Sequence, residues 1–188
     1  MKKTVIIING QGGCGKDTLI GIASKHYNVS MISSITPVKQ VALKAGWEGE
    51  KDNKARKFLS DLKAIMTEYN DAAFTYCRDM YRGFLKTDEE ILFVQIREPN
   101  EISRFVEFLL HDNVCNVQTL LIRNAWRRTE EYKEGSHDVR SNVVYGNKSD
   151  DEVENYDYDY IFENKYQLSE LEDKFIEFFK TIVEEQNE

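Results

Sequence analysis

Gly10-Gln11-Gly12-Gly13-Cys14-Gly15-Lys16-Asp17-Thr18 is the stretch on which the reading of this chain turns. Its Gly-x4-Gly-Lys spacing is that of a Walker A phosphate loop. Glycines let the backbone bend until consecutive N–H groups point inward, and such a nest of donors binds an anion. A helix that opens at the lysine adds its positive end. Lys16 is then placed to reach the terminal phosphates of a nucleoside triphosphate. The flanks agree. Thr4 to Ile8 is an apolar, β-branched run suited to a strand buried on both faces of a parallel sheet, and a helix is expected from about Lys16 to Tyr27.

Working outward, further strands are expected at Asn28 to Ser33, Ile91 to Ile96, Val117 to Ile122 and Tyr158 to Phe162. Between them lie helical patterns. Pro37 opens a helix that reaches about Ala45, and Asp52 to Asn70 repeats Phe58, Leu59, Leu62, Ile65, Met66 and Tyr69 at helical spacing. Ala72 to Leu85 follows. A helix from Pro99 carries the stripe Ile102, Phe105, Val106, Leu109 and Leu110. Leu168 to Val183 turns Leu171, Phe175, Phe178, Phe179 and Ile182 inward. Strands alternating with helices predict a three-layer α/β/α fold around a five-stranded parallel sheet. At 188 residues one domain suffices.

Composition narrows the partners. With 33 acidic against 25 basic residues the net charge is -8, so nucleic acid, which demands a basic face, is not the expected partner. The three cysteines, Cys14, Cys77 and Cys115, have neither zinc nor disulfide spacing and read as free thiols in a reducing cytoplasm. Cys14 is read as a small loop residue. No stretch approaches the roughly 20 apolar residues that a membrane-spanning helix needs, so no membrane partner is expected.

Several segments together resemble the bacteriophage-type deoxynucleoside monophosphate kinases, within the P-loop nucleoside monophosphate kinase family. Gly15-Lys16-Asp17-Thr18 is similar to that family's loop, and its Gly-Lys-Asp start is also similar to phosphomevalonate kinases. Ser34-Ile35-Thr36-Pro37-Val38-Lys39 resembles a segment ending in Asp-Pro-Leu-Lys. Lys54-Ala55-Arg56-Lys57-Phe58-Leu59 resembles Lys-Gly-Arg-Arg-Leu-Leu. Arg97-Glu98-Pro99-Asn100-Glu101 resembles Arg-Phe-Pro-Asn-Glu, and Ser136-His137 resembles a downstream Ser-His pair. The resemblance implies ATP as phosphate donor, Mg²⁺, an acceptor-binding segment over about 34–85 and a lid over about 124–151. Two positions depart from the usual pattern. Asp17 stands where Ser or Thr follows the loop lysine, and Gln95 stands where the family has an aspartate.

Phosphoryl transfer needs two phosphates aligned and growing negative charge neutralised, so cations rather than a His or Cys nucleophile are expected around the site. Gly10 to Thr18, with Arg123, are assigned to the nucleotide. Asp17, Thr18 and Gln95 are assigned to the metal, which takes hard oxygen ligands. Arg97 follows a strand end, where open α/β sheets bind ligands, and is assigned to the acceptor phosphate, with Lys39 and Arg56 beside it. Lys16, Arg97, Arg127 and Arg128 are the expected catalytic cations. His137 and Arg140 join the acceptor side. Trp47, Tyr69 and Tyr76 are read as core packing ahead of base stacking. Asn147-Lys148-Ser149-Asp150 fits a guanine-binding pattern literally but follows no apolar strand, and is discounted. The acceptor is expected to be a small phosphorylated molecule taken up by a monomer or homodimer. A nucleoside monophosphate comes first, with phosphomevalonate or dephospho-coenzyme A as same-fold alternatives. A nucleotide-binding protein with weak turnover is the alternative that Gln95 supports.

Overall fold

The computed structural model describes residues 2–50, 52–124 and 152–184. Arg127, Arg128, His137 and Arg140 lie outside the described residues, as do the lid segment beyond Asn124 and the Asn147 to Asp150 pattern.

Five parallel strands run β1 (Thr4–Asn9), β2 (Val29–Ser33), β3 (Ile91–Gln95), β4 (Asn116–Asn124) and β5 (Tyr160–Asn164), in the spatial order β2-β3-β1-β4-β5. The described helices are α1 (Lys16–Ala23), α2 (Thr36–Lys44), α3 (Asn53–Asn70), α4 (Ala72–Phe84), α5 (Pro99–Asp112) and α6 (Leu168–Glu184). The expected fold class and every expected strand are present. Helix α1 stops at Ala23, short of the expected Tyr27, because the chain tightens there into i→i+3 bonds from Lys25 to Ile22 and from His26 to Ala23.

β1 is the central strand and all six of its residues are buried. Strand alternation sends Ile6 and Ile8, with Phe93, Leu120, Ile122 and Phe162, to one face, where α1 and α6 cover them through Leu19, Phe175 and Phe179. Val5 and Ile7, with Leu92, Val94 and Leu121, go to the other face, under Tyr81 of α4 and Ile102 and Phe105 of α5. Both faces are covered, as a parallel sheet requires. A side-chain lock helps fix β5 beside β4. Asp159 Oδ2 accepts from the Thr119 amide and hydroxyl, both at 2.8 Å, while the Asp159 amide donates back to Thr119 Oγ1 at 2.9 Å.

Two apolar expectations are corrected. Leu110 is 60% exposed, and Phe108 fills the aromatic cluster with Phe74, Tyr81 and Phe105 instead. Tyr69 is 85% exposed and packs into no core. In α3 only Ala55 is buried, although its sequence is periodic. Periodicity says which side chains share a face, and a covering partner decides whether that face is buried.

Among the described residues no helix is long and apolar enough to cross a membrane. Cys14, Cys77 and Cys115 are all buried free thiols, and burial pushes the Cys77 thiol up to about 12.

Candidate phosphate-binding site

All five strands point their C-terminal ends to the same edge of the sheet, so the turns that follow β1 and β3 meet there. The register pairs Ile8 with Gln95, which sets the end of β3 beside the start of the glycine loop. This is the crevice at which open α/β sheets bind ligands.

The loop begins at Asn9, which is fully buried. Its Oδ1 accepts from the Gly10 amide at 2.8 Å, and its Nδ2 donates to the Arg97 carbonyl at 3.0 Å and to Tyr158 Oη at 2.6 Å. The Tyr158 hydroxyl donates in turn to the Val153 carbonyl at 2.9 Å, and burial raises its phenol to about 12. One buried amide thus joins the phosphate loop, the Arg97 turn and the segment before β5.

Gly10 has φ +146°, and a Cβ there would lie 2.4 Å from the Ile122 carbonyl oxygen and 2.6 Å from Cys14 Sγ. Only glycine fits this approach. Gly15, at φ +100°, faces Asn164 at the end of β5, and Asn164 Nδ2 donates to the Cys14 carbonyl at 2.9 Å. The loop is therefore braced from three neighbouring strands. α1 opens at Lys16 with no side-chain cap, so its first amides and its positive end are left for an anion.

Lys16 arches back over its own loop. Its Nζ donates to the Gly10 carbonyl, to the Gln11 carbonyl at 3.1 Å and toward Cys14 Sγ at 3.5 Å. Burial holds the ammonium below its ordinary value. Cys14 opposes that shift, and the nearby positive charge of Arg97 reinforces it. A phosphate oxygen would relieve both costs.

Asp17 and Thr18 are exposed in the first turn of α1. Gln95 Nε2 donates to Asp17 Oδ1 at 2.8 Å. Arg97 is half-buried beside Lys16. Lys39 is exposed on α2 and Arg56 is half-buried on α3. Arg123, at the end of β4, is held by acids. Its Nε lies 3.1 and 3.0 Å from the two Glu154 oxygens, its Nη2 2.6 Å from Glu154 Oε2 and its Nη1 3.4 Å from Glu163 Oε1. These hydrogen bonds hold its proton more tightly still. A nucleotide would have to compete with both carboxylates for this guanidinium.

Sequence reading passed over Asn9, Tyr158, Asn164 and Lys63. Lys63 of α3 pairs with Glu98, the residue after Arg97, and so ties the helix to the Arg97 turn. A polar residue closing an apolar strand was the available signal for Asn9 and Asn164. Tyr158 and Lys63 carry none, because their partners lie far along the chain.

Comparison with solved structures places the fold. The crystal structure of APE1195 superposes with a TM-score of 0.51 at 10% identity, covering 97% of this chain and 95% of that one. That of TT1252 from Thermus thermophilus gives 0.50 at 20% identity and 98% coverage of both chains. A candidate kinase from Chloroflexus aurantiacus gives 0.50 at 11% identity, covering 96% and 97%. These likenesses show a shared α/β fold with a five-stranded parallel sheet. No protein-family model and no curated protein matches the sequence.

Proposed function

We propose that this chain is an ATP-dependent phosphotransferase of nucleoside monophosphate kinase type, acting on a small phosphorylated acceptor, with a (deoxy)nucleoside monophosphate as the first choice. The observation that carries this is the glycine loop. It joins an uncapped helix start to a half-buried lysine whose acceptors are atoms of the loop itself. That arrangement suits a polyphosphate and little else.

Mg²⁺ fits the donors present, since Asp17 offers a carboxylate, Thr18 a hydroxyl and Gln95 an amide oxygen, all hard ligands. When bound, the ion would neutralise charge on the β- and γ-phosphates. Lys16 supplies a mobile cation that exchanges its loop carbonyls for phosphate oxygens. Arg97, tied through its carbonyl to Asn9, supports the acceptor phosphate from the adjacent strand end. A monophosphate acceptor is already anionic, so the chain needs no general base. Arg127 and Arg128 remain assigned as catalytic cations, and His137 and Arg140 to the acceptor side. Residues 1–188 act as one domain in this reading, and it is a cytoplasmic one.

The test is ADP release from Mg-ATP against a panel of ribo- and deoxynucleoside monophosphates, phosphomevalonate and dephospho-coenzyme A. Acceptor-dependent release is expected, and Lys16→Ala should lower it by roughly 10²–10³-fold, the usual loss for one charge-stabilising donor. ATP binding without release from any acceptor would overturn the kinase reading in favour of a nucleotide-binding protein. Unchanged turnover in Lys16→Ala would overturn the assignment of the loop.

A further inference from the structure

Asp17 in the first turn of α1 and Gln95 at the end of β3 are in contact. Asp17 and Gln95 are 78 residues apart in sequence, yet the β1–β3 register sets the end of β3 against the first turn of α1. An ionised carboxylate only accepts hydrogen bonds, so the group facing it must be the Gln95 amide nitrogen. The bond is 2.8 Å long. The same nitrogen lies 3.3 Å from Met31 Sδ on the next strand, which fixes the rotation of the amide. A carboxylate at position 95 would meet Asp17 with no donor and with like charge.

We infer that Asp17 and Gln95 act as a pair. Gln95 is a positioning residue that aims the Asp17 carboxylate, and Asp17 presents its negative charge to the metal. Asp17 also sits well there for a second reason, since an acid in the first turn complements the positive end of α1. The strand contributes an aiming hydrogen bond and the loop contributes the charge. This inference rests on the nucleotide-binding reading above.

The experiment is calorimetric ATP binding to wild type, Gln95→Met, Asp17→Ala and the double variant, with Mg²⁺ and with EDTA. Methionine keeps the length of the side chain and removes the donor. Gln95→Met is expected to cut the Mg²⁺-dependent gain in ATP affinity by about tenfold, the low end for losing a group that orients a metal ligand. Its affinity in EDTA should equal that of wild type, which a general structural role would not allow. Asp17→Ala should cut the Mg²⁺-dependent gain at least as far, and adding Gln95→Met to it should change nothing more. Full additivity in the double variant, or an equal loss in EDTA, would overturn the inference while leaving the nucleotide site standing. A wild-type protein that binds no ATP in Mg²⁺ would overturn the nucleotide reading itself, and this inference with it.

Discussion

Helix α3 runs for 18 residues with one buried side chain, Ala55, whereas the loop at Gly10 grows from a strand in which all six residues are buried. The two regions face opposite demands. A phosphate grip works through fixed N–H directions, so its backbone must be held before the ligand arrives. Asn9, Ile122 and Asn164 supply that hold from the ends of β1, β4 and β5. Helix α3 rests on the protein through half-buried Leu59, Leu62 and Met66 and through the Lys63–Glu98 pair, while Phe58, Ile65 and Tyr69 face outward. With so few buried contacts, its local opening costs less than that of the sheet. The glycine loop is rigid by construction, and α3, in the proposed acceptor segment, is lightly held.

Substitutions should divide along that line. The largest effect is expected at Gly10→Ala, where left-handed strain and a 2.4 Å approach to the Ile122 carbonyl act together. A loss of about 3 kcal/mol or more in urea unfolding is expected, and a loss under about 1 kcal/mol would show that the loop is softer than argued. Next is Asn9→Leu, which strands the Arg97 carbonyl and the Gly10 amide in a buried place. It should cost about 2 kcal/mol, with Tyr158→Phe costing less because only one of the two hydroxyl contacts reaches the loop.

A smaller effect follows from the depressed pKa of Lys16. The ordinary lysine value is 10.5 and the folded value lies below it, so between the two the unfolded chain binds more protons. Folded stability attributable to Lys16 must then rise with pH across that window. The stability difference between Lys16→Met and wild type should narrow as pH climbs toward 10.5, and thermal unfolding at a series of pH values reads it. ATP affinity should fall over the same window as the lysine loses its charge. The smallest effects are expected on α3. Ile65→Ser and Tyr69→Ser should each change stability by less than about 0.5 kcal/mol. A loss of 2 kcal/mol from either would mean that this face is covered in solution and would erase the contrast between the two regions.

The expected strands and helices match the structure closely because each depends on near neighbours in sequence. Alternating or unbroken apolar runs become strands, and a glycine or proline ends them. The reading failed where the outcome depended on a distant surface. Leu110 and Tyr69 sit on regular apolar stripes yet stay exposed, since nothing packs over them. The missing charge at Gln95 was legible in the sequence, but its hydrogen bond to Asp17 was not, because the two lie 78 residues apart.

The sequence by itself determined the glycine loop and its candidate phosphate-binding role, because that reading rests on nine consecutive residues whose glycines, lysine and helix start act on one another directly. Only the tertiary structure decided which strand ends surround that loop. The order β2-β3-β1-β4-β5 brings Gln95 to Asp17, Tyr158 to Asn9 and Asn164 to Cys14, across 78, 149 and 150 residues. The physical reason is that a parallel sheet joins its strands through crossovers, so neighbours in space are not neighbours in sequence. The contacts that aim the site therefore exist only once the sheet has formed.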